Sequence, residues 1–343
     1  MSQGLPRLHL SRPSVVLPSH GVDNDEVVRR IHAQFKGTAK QWGAVEEAVR
    51  YVFARCSTRV RYYETDAGVR VAEFASRAAT ACLEANELMP DEVDLVIYGG
   101  IARDYFEPAT AMEVAARVGI KGCHAFDVTS ACVGLLEALH VASAYMNAYP
   151  ELRMALLCSA ELTKNFVSFD IQSPTDLLRK AAGLTVGNAS AAWLLRRDPF
   201  PEGCLRLIAM QNMSIPRHYD LCKAPIDGPF DSLSTELMKL NVHAPGELNK
   251  LMARVGWKPE QVDHFVFHQP GDAVVIETAA SMGLDLHKVV LTHGLYANTA
   301  TTTVPLALHH LLSERRVLGG DKLIFSSAAA GFTMVSGAGV WVE

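Results

Sequence analysis

No two of the chain's seven cysteines form a C-x-x-C pair. The odd, scattered set (Cys56, Cys82, Cys123, Cys132, Cys158, Cys204 and Cys222) offers neither a disulfide framework nor a zinc cage. Thiols of this kind, mostly small buried hydrophobes, suit a reducing compartment, and the cytoplasm is the expected location. An excess of one charge is also missing. The 32 basic and 37 acidic side chains leave a net charge of -5, without the basic field that nucleic acid or an anionic membrane surface calls for. Residues 1–10 show no cationic stretch followed by an apolar run, so no signal peptide is read there. The nearest approach to a membrane span is the charge-free stretch 323–342. It is rich in Ala and Ser and broken by Gly331, Gly337 and Gly339, so it reads as two buried strands joined by a turn.

What the chain does have is apolar material: 49% of 343 residues, with 20% charged. That suits one large α/β body or two joined halves, and an internal repeat favours the halves. Residues 90–98 (Pro-Asp-Glu-Val-Asp-Leu-Val-Ile-Tyr) resemble 259–267 (Pro-Glu-Gln-Val-Asp-His-Phe-Val-Phe), 169 positions later. Each stretch follows an amphipathic helical segment (75–88 and 245–255) and ends in a short apolar run of strand type. The same offset lays 129–139 on 298–308, with Ala131, Ala138 and Leu139 finding identical partners. Between these places, 115–120 resembles 279–284. Three matches in one order predict two halves of similar α/β fold, divided near 1–198 and 199–343. Chemistry then belongs where the sheets meet, at strand ends that feed helix N-termini.

Cys132 stands at such a place. Residues 125–128 read as a short strand, Ser130 and Ala131 make a small-residue turn, and Leu135, Leu136, Leu139 and Ala142 have helical spacing. A thiol at a helix N-terminus meets free N–H groups and a dipole that favours thiolate, and a nearby backbone N–H can serve an oxyanion. The plainer alternative is a cysteine packed between strand and helix. His268 follows the apolar run 262–267, where it projects into a cleft or simply meets solvent; His264, inside the run, reads as a surface or core residue. Asn298 opens a helix expected over 299–312, where it is either an N-cap or, by the repeat, the counterpart of the Cys132 junction. Together the three residues suit acyl transfer. A thiolate accepts an acyl group from a thioester, while a neutral His Nε2–H and an Asn amide, both donors, stabilise the enolate left when a malonyl thioester loses CO2.

These residues resemble β-ketoacyl-acyl-carrier-protein synthase III, a branch of the thiolase superfamily. The resemblance runs from about residue 52 to the C-terminus. It rests on 121–132 (Lys-Gly-Cys-His-Ala-Phe-Asp-Val-Thr-Ser-Ala-Cys), on His268-Gln269, on 296–308 around Asn298 and on the Gly-containing turn 330–333. It implies a thiolase-like fold of two duplicated α/β halves in a layered αβαβα arrangement. It also implies Cys132, His268 and Asn298 as the catalytic set, and an oxyanion hole from the N–H groups of Cys132 and Ala330. No cofactor is implied beyond an acyl-CoA or acyl-carrier-protein thioester as substrate. A homodimer is implied too, in which the 105–108 loop, with Phe106, helps close the neighbour's acyl pocket. For the coenzyme A channel it points to Tyr51, Arg55, Arg179, Lys180 and Gly271, with a solvated basic face as the alternative for the cations. Departures are equally visible. Pro270-Gly271-Asp272 replaces the family's usual run after His-Gln, Glu107 adds charge to the pocket loop, and 211–243 follows no family pattern. They point to a specialised homologue of fatty-acid or polyketide-type metabolism. The leading expectation is decarboxylative condensation with a malonyl- or β-ketoacyl-type thioester. Acyl transfer to oxygen or nitrogen, and a non-catalytic subunit of a heteromeric synthase, are the alternatives.

Overall fold

A computed structural model describes residues 8–163, 166–226 and 228–343. The first half runs β1 (His9–Ser11), β2 (Ser14–Val16), β3 (His20–Asp23), α1 (Asn24–Gln34), α2 (Ala39–Cys56), β4 (Val60–Tyr63), α3 (Val71–Ala85), β5 (Leu95–Tyr98), α4 (Thr110–Val118), β6 (His124–Asp127), α5 (Gly134–Ala148), β7 (Met154–Glu161), α6 (Pro174–Leu184) and β8 (Ala189–Arg196). The second half runs β9 (Cys204–Ser214), β10 (Cys222–Lys223), β11 (Asp231–Ser232), α7 (Ser234–Lys239), α8 (Ala244–Val255), β12 (His264–Phe267), α9 (Asp272–Ser281), α10 (His293–Tyr296), α11 (Thr303–Ser313), β13 (Lys322–Ala329) and β14 (Thr333–Val342).

The main sheet is ordered β12-β13-β14-β9-β1-β8-β7-β5-β6, with β2 beside β8. The repeat is visible in its ladders. β5 pairs parallel with β7, which turns back antiparallel as β8; β12 pairs parallel with β13, which turns back antiparallel as β14. Leu95 and His264, the first residues of β5 and β12, stand 169 positions apart, as do Gly134 and Thr303 at the starts of α5 and α11. The halves are joined through β1, which pairs antiparallel with β8 on one side and β9 on the other.

Strand alternation sorts side chains into layers. Leu95 and Ile97 of β5, Ala155 and Leu157 of β7, and Ala191, Trp193 and Leu195 of β8 face a central core with α5 and α11. The intervening Val96, Tyr98, Leu156, Cys158, Ala192 and Leu194 face α3 and α4 in a second core. In the other half Val266, Leu323 and Phe325 join the central core, while Phe265, Phe267 and Ile324 face α8 and α9. Five layers result, αβαβα, because strands of period two bury both faces. Each fully buried Leu, Ile or Phe contributes roughly 1.5–3 kcal/mol of transfer free energy. A fourth core under α1, α2 and α6 gathers Val27, Ile31, Val49 and Phe53. Its helices start cleanly, since Asp23 caps α1 and Thr38 makes a capping box with Gln41 on α2.

The stretch 323–342 is indeed two strands, β13 and β14. No helix among the described residues is long and apolar enough to cross a membrane. The helix expected over 299–312 begins later: Ala300–Thr302 is a 3-10 turn and α11 covers Thr303–Ser313. Ala300, at φ 50°, lies in the left-handed region, which a continuous right-handed helix excludes.

Candidate active site

Cys132 sits in the 3-10 turn Ala131–Val133, between β6 and α5. Ala131 has φ 43°, in the left-handed region where a Cβ costs about 1–2 kcal/mol. Ala300 holds the equivalent strained position in the Ala300–Thr302 turn, 169 residues on, and the two turns pack against each other. A close contact between two glycines helps hold Cys132 in place. Gly99, just past β5, and Gly134, at the start of α5, approach backbone to backbone; a Cβ on Gly99 would lie 2.6 Å from the Gly134 carbonyl oxygen. Ser327 of β13 donates to the Cys132 carbonyl oxygen at 3.2 Å. The sulfur is deep in protein although the residue keeps some exposure. Burial first, then Cys222 and Glu161, pushes the thiol well above the ordinary range. The helix dipole expected to favour thiolate is therefore outweighed by burial, and the group is a thiol that must lose a proton before it attacks.

His268 follows β12. Its N–H donates to the Ser326 carbonyl at 2.8 Å, and its Nδ1 lies 2.6 Å from Thr303 Oγ1 on α11. Gln269 is consumed locally: its Nε2 donates to Phe267 and Val290 carbonyls and its Oε1 accepts from Thr292 N–H. His293 is wholly buried, with Nδ1 2.9 Å from the Gln269 carbonyl oxygen and Nε2 2.7 Å from Thr58 Oγ1. Asn298 is tied by backbone, its N–H to Thr185 and its carbonyl to the Gly187 N–H. Its Oδ1 accepts from Ala300 N–H at 2.9 Å. The oxygen holds the strained turn, and among the described residues the Nδ2 donor is left without a protein partner. Cys132, His268 and Asn298 thus stand on or beside adjoining turns contributed by both halves.

A buried carboxylate underlies these turns and was not legible in any motif. Glu161, at the end of β7, accepts from Ile101 N–H (3.0 Å), Ala102 N–H (3.2 Å) and Thr301 Oγ1 (2.5 Å), while Ser159 Oγ lies 2.6 Å from the same threonine hydroxyl. Burial raises its pKa, opposed by these hydrogen bonds. Thr301 is the repeat partner of Cys132, which was the one sequence signal pointing to this network. Thr303, His293 and Cys222 were likewise missed, because each meets the site only through tertiary contact.

Ala330 lies in the turn between β13 and β14, where Gly331 has φ 75°. The expected coenzyme residues gather at the far end of α2 and on α6, two helices in mutual contact. Gly271 lies against Cys56 at the end of α2, its virtual Cβ 3.2 Å from Cys56 Cα. Tyr51 is 68% exposed. The cations carry acidic or carbonyl partners in this state: Arg55 with Glu277 at 3.3 Å, Arg179 with Asp231 at 2.7 Å, and Lys180 Nζ with the Asp170 carbonyl at 2.6 Å. Phe106 is 79% exposed.

Both central imidazoles are held neutral. Burial, then His293, lowers His268 to about 3; burial lowers His293 to about 4, opposed by the Gln269 carbonyl and reinforced by Arg61. An unfolded histidine takes its proton near ~6.5. Between about pH 6.5 and about pH 4 the unfolded chain therefore binds protons that the fold refuses. Stability is full above that window and falls as pH drops through it. For His293 the gap amounts to roughly 3 kcal/mol. Urea midpoints measured from pH 7 to pH 4 should fall across the window, and His293→Asn should flatten the slope; an equally steep slope in that variant would count against the assignment.

Residues 252–341 match the family model described as 3-oxoacyl-[acyl-carrier-protein (ACP)] synthase III C terminal. The β-ketoacyl-[acyl-carrier-protein] synthase III of Rhodospirillum rubrum is 30% identical over 302 residues, covering 84% of this chain and 90% of that protein. The same enzyme of Rhizobium meliloti is 28% identical over 327 residues, 92% and 94% of the two chains. Among solved structures, an OleA variant of Xanthomonas campestris superposes with a TM-score of 0.89 at 20% identity over 99% of this chain and all of that one. FabH of Pseudomonas aeruginosa gives 0.84 at 23% identity, over 98% and 99%. The fold is that of the thiolase-like condensing enzymes, and the protein is an acyltransferase of that class. The chain belongs to the β-ketoacyl-acyl-carrier-protein synthase III family.

Proposed function

We propose that Cys132 takes an acyl group from coenzyme A or an acyl carrier protein as a covalent thioester and passes it to the carbanion of a second, malonyl- or β-ketoacyl-type thioester. In this reading the backbone N–H groups of Cys132 and Ala330 receive the oxyanion, and the Asn298 amide and His268 face the carbonyl of the second thioester. The observation that carries it is the juxtaposition at the turns: a thiol on a strained turn at the head of α5, packed on the turn held by Asn298, whose Oδ1 accepts from Ala300 N–H and whose Nδ2 has no partner among the described residues. An OleA variant solved with lauric acid and lauroyl-CoA bound has the same fold, which supports an acyl-CoA donor. The departures at 270–272, Glu107 and 211–243 support a specialised homologue over a housekeeping one; the reading takes the protein to act as a cytoplasmic homodimer. The test is incubation with a panel of acyl-CoA thioesters of graded length, followed by intact-mass and peptide analysis. One acyl group on the Cys132 peptide is expected, and addition of malonyl thioester should discharge it with release of CO2. Acylation elsewhere, or none with any thioester and carrier, would remove the covalent step. Discharge to an alcohol or amine without CO2 would replace condensation by ester or amide formation.

A further inference from the structure

A chain of hydrogen bonds runs from β4 and the end of α2, in the first half, to the backbone beside His268 in the second. Arg61 Nη2 donates to Asn24 Oδ1 at 2.9 Å, and Asn24 Nδ2 donates to the Thr58 carbonyl at 2.7 Å. Thr58 Oγ1 lies 2.7 Å from His293 Nε2, and His293 Nδ1 lies 2.9 Å from the carbonyl oxygen of Gln269, the residue after His268. Thr58 and His293 are both buried. A carbonyl oxygen only accepts, so Nδ1 of His293 carries a hydrogen. Burial, reinforced by Arg61, holds the ring neutral. Nε2 therefore keeps its lone pair, and the Thr58 hydroxyl is its donor. The bond to Gln269 has no substitute. The Gln269 side chain is spent on Phe267, Val290 and Thr292. The peptide unit that joins Gln269 to Pro270 has no N–H, so its plane is anchored only through its carbonyl. Among the described residues, no donor other than His293 reaches that oxygen.

We propose that His293, seated by Thr58, is a positioning residue for the second half of the reaction: it fixes the peptide that follows His268 and so aims the His268 ring at the carbonyl of the second thioester. This deepens the functional reading above and rests on it for the role of His268. His293 is wholly buried and acts through the backbone, without touching substrate. Its loss frees the 269–270 peptide to turn, and the ring one residue back moves with it. Cys132 hangs on other supports, the Gly99–Gly134 contact and the Ser327 hydroxyl. Acylation of the thiol and consumption of the second thioester should therefore respond differently when His293 is changed.

The test measures the two half-reactions separately in the full-length protein: acylation by acyl-CoA by intact mass, and release of CO2 from malonyl-CoA by the acylated enzyme. In His293→Leu the second rate should fall on the order of 10- to 100-fold, the scale set by a small misplacement of a reacting group, while the first changes little. His293→Asn carries an N–H near the place of Nδ1 and should recover most of the loss. Equal losses in both half-reactions, wild-type CO2 release in His293→Leu, or an asparagine variant no better than the leucine one would each overturn the proposal. Thr58→Val makes the same comparison with a milder change. It should lower CO2 release several-fold at unchanged acylation, with Thr58→Ser restoring it, and a Thr58→Val protein of wild-type rate would remove Thr58 from the relay. Long-range nitrogen–proton NMR with 15N-labelled histidine reads the rings directly. The chain has 13 histidines, so the signals of His293 and His268 are those lost in His293→Asn and His268→Gln. His293 should be protonated on Nδ1 and bare on Nε2; a hydrogen on Nε2 would overturn the assignment. If no thioester acylates the wild-type protein, the functional reading fails, and the His268 signals still decide the positioning. They should move in His293→Leu and return in His293→Asn, and signals that stay put would overturn it.

Discussion

In a Cys132→Ala variant no acyl group is retained on the protein after exposure to acyl-CoA, and condensation falls by about 10⁴-fold or more, the order seen when a covalent nucleophile is deleted. The fold survives, because the change removes a single sulfur packed beside the central core and leaves the backbone of the turn in place. The expected stability cost is about 1 kcal/mol. Cys132→Ser separates position from chemistry: it retains the geometry with a hydroxyl that is a far weaker nucleophile at neutral pH. Intact mass after a single turnover, read beside the urea midpoint, checks both. Wild-type acylation in the alanine variant would assign the acyl group to another residue.

The second large effect is expected at Gly99. A methyl group there meets the Gly134 carbonyl oxygen at 2.6 Å, its carbon at 2.8 Å and Leu135 Cα at 2.8 Å. All three are backbone atoms of the first turn of α5, so no rotamer change relieves the overlap. Gly99→Ala should lower stability by about 3 kcal/mol, and Gly99→Val by more. Because α5 begins two residues after Cys132, the shift that relieves the clash also moves the sulfur. Acylation by acyl-CoA should therefore fall together with the urea midpoint. Gly43→Ala is the contrast: it lies in α2 with nothing within 4 Å of the added carbon, and removing a helical glycine should stabilise by about 0.5–1 kcal/mol. A Gly99→Ala protein as stable and as reactive as the parent would mean that the strand–helix contact does not hold the site.

Much of the architecture was legible in the chain because it is local. The runs that became β5 and β12, the helical spacing after Cys132 and the turn signal at Gly331 all depend on residues a few positions apart. The 169-residue repeat carried the rest, since copying a sequence copies its local preferences, and it brought Asn298 to the counterpart of the Cys132 junction. The strained turn beginning at Ala300 was not legible. It is stabilised by the Asn298 side chain and by packing on the Ala131–Val133 turn, and neither contact leaves a periodicity. The role of β1 was hidden for the same reason: three residues, His9–Ser11, stitch β8 to β9 only because both edges wait for them.

The sequence by itself determined that this is a duplicated α/β protein with a thiol at a strand–helix junction, a histidine past a buried strand and an asparagine at the matching junction. Those are statements about neighbours along the chain. Only the tertiary structure decided the protonation of the site. Burial and Cys222 keep Cys132 a thiol, and burial and His293 keep His268 neutral. The physical reason is range: backbone preference is set within a turn or two, whereas the free energy of a charge or a proton depends on every group folded around it.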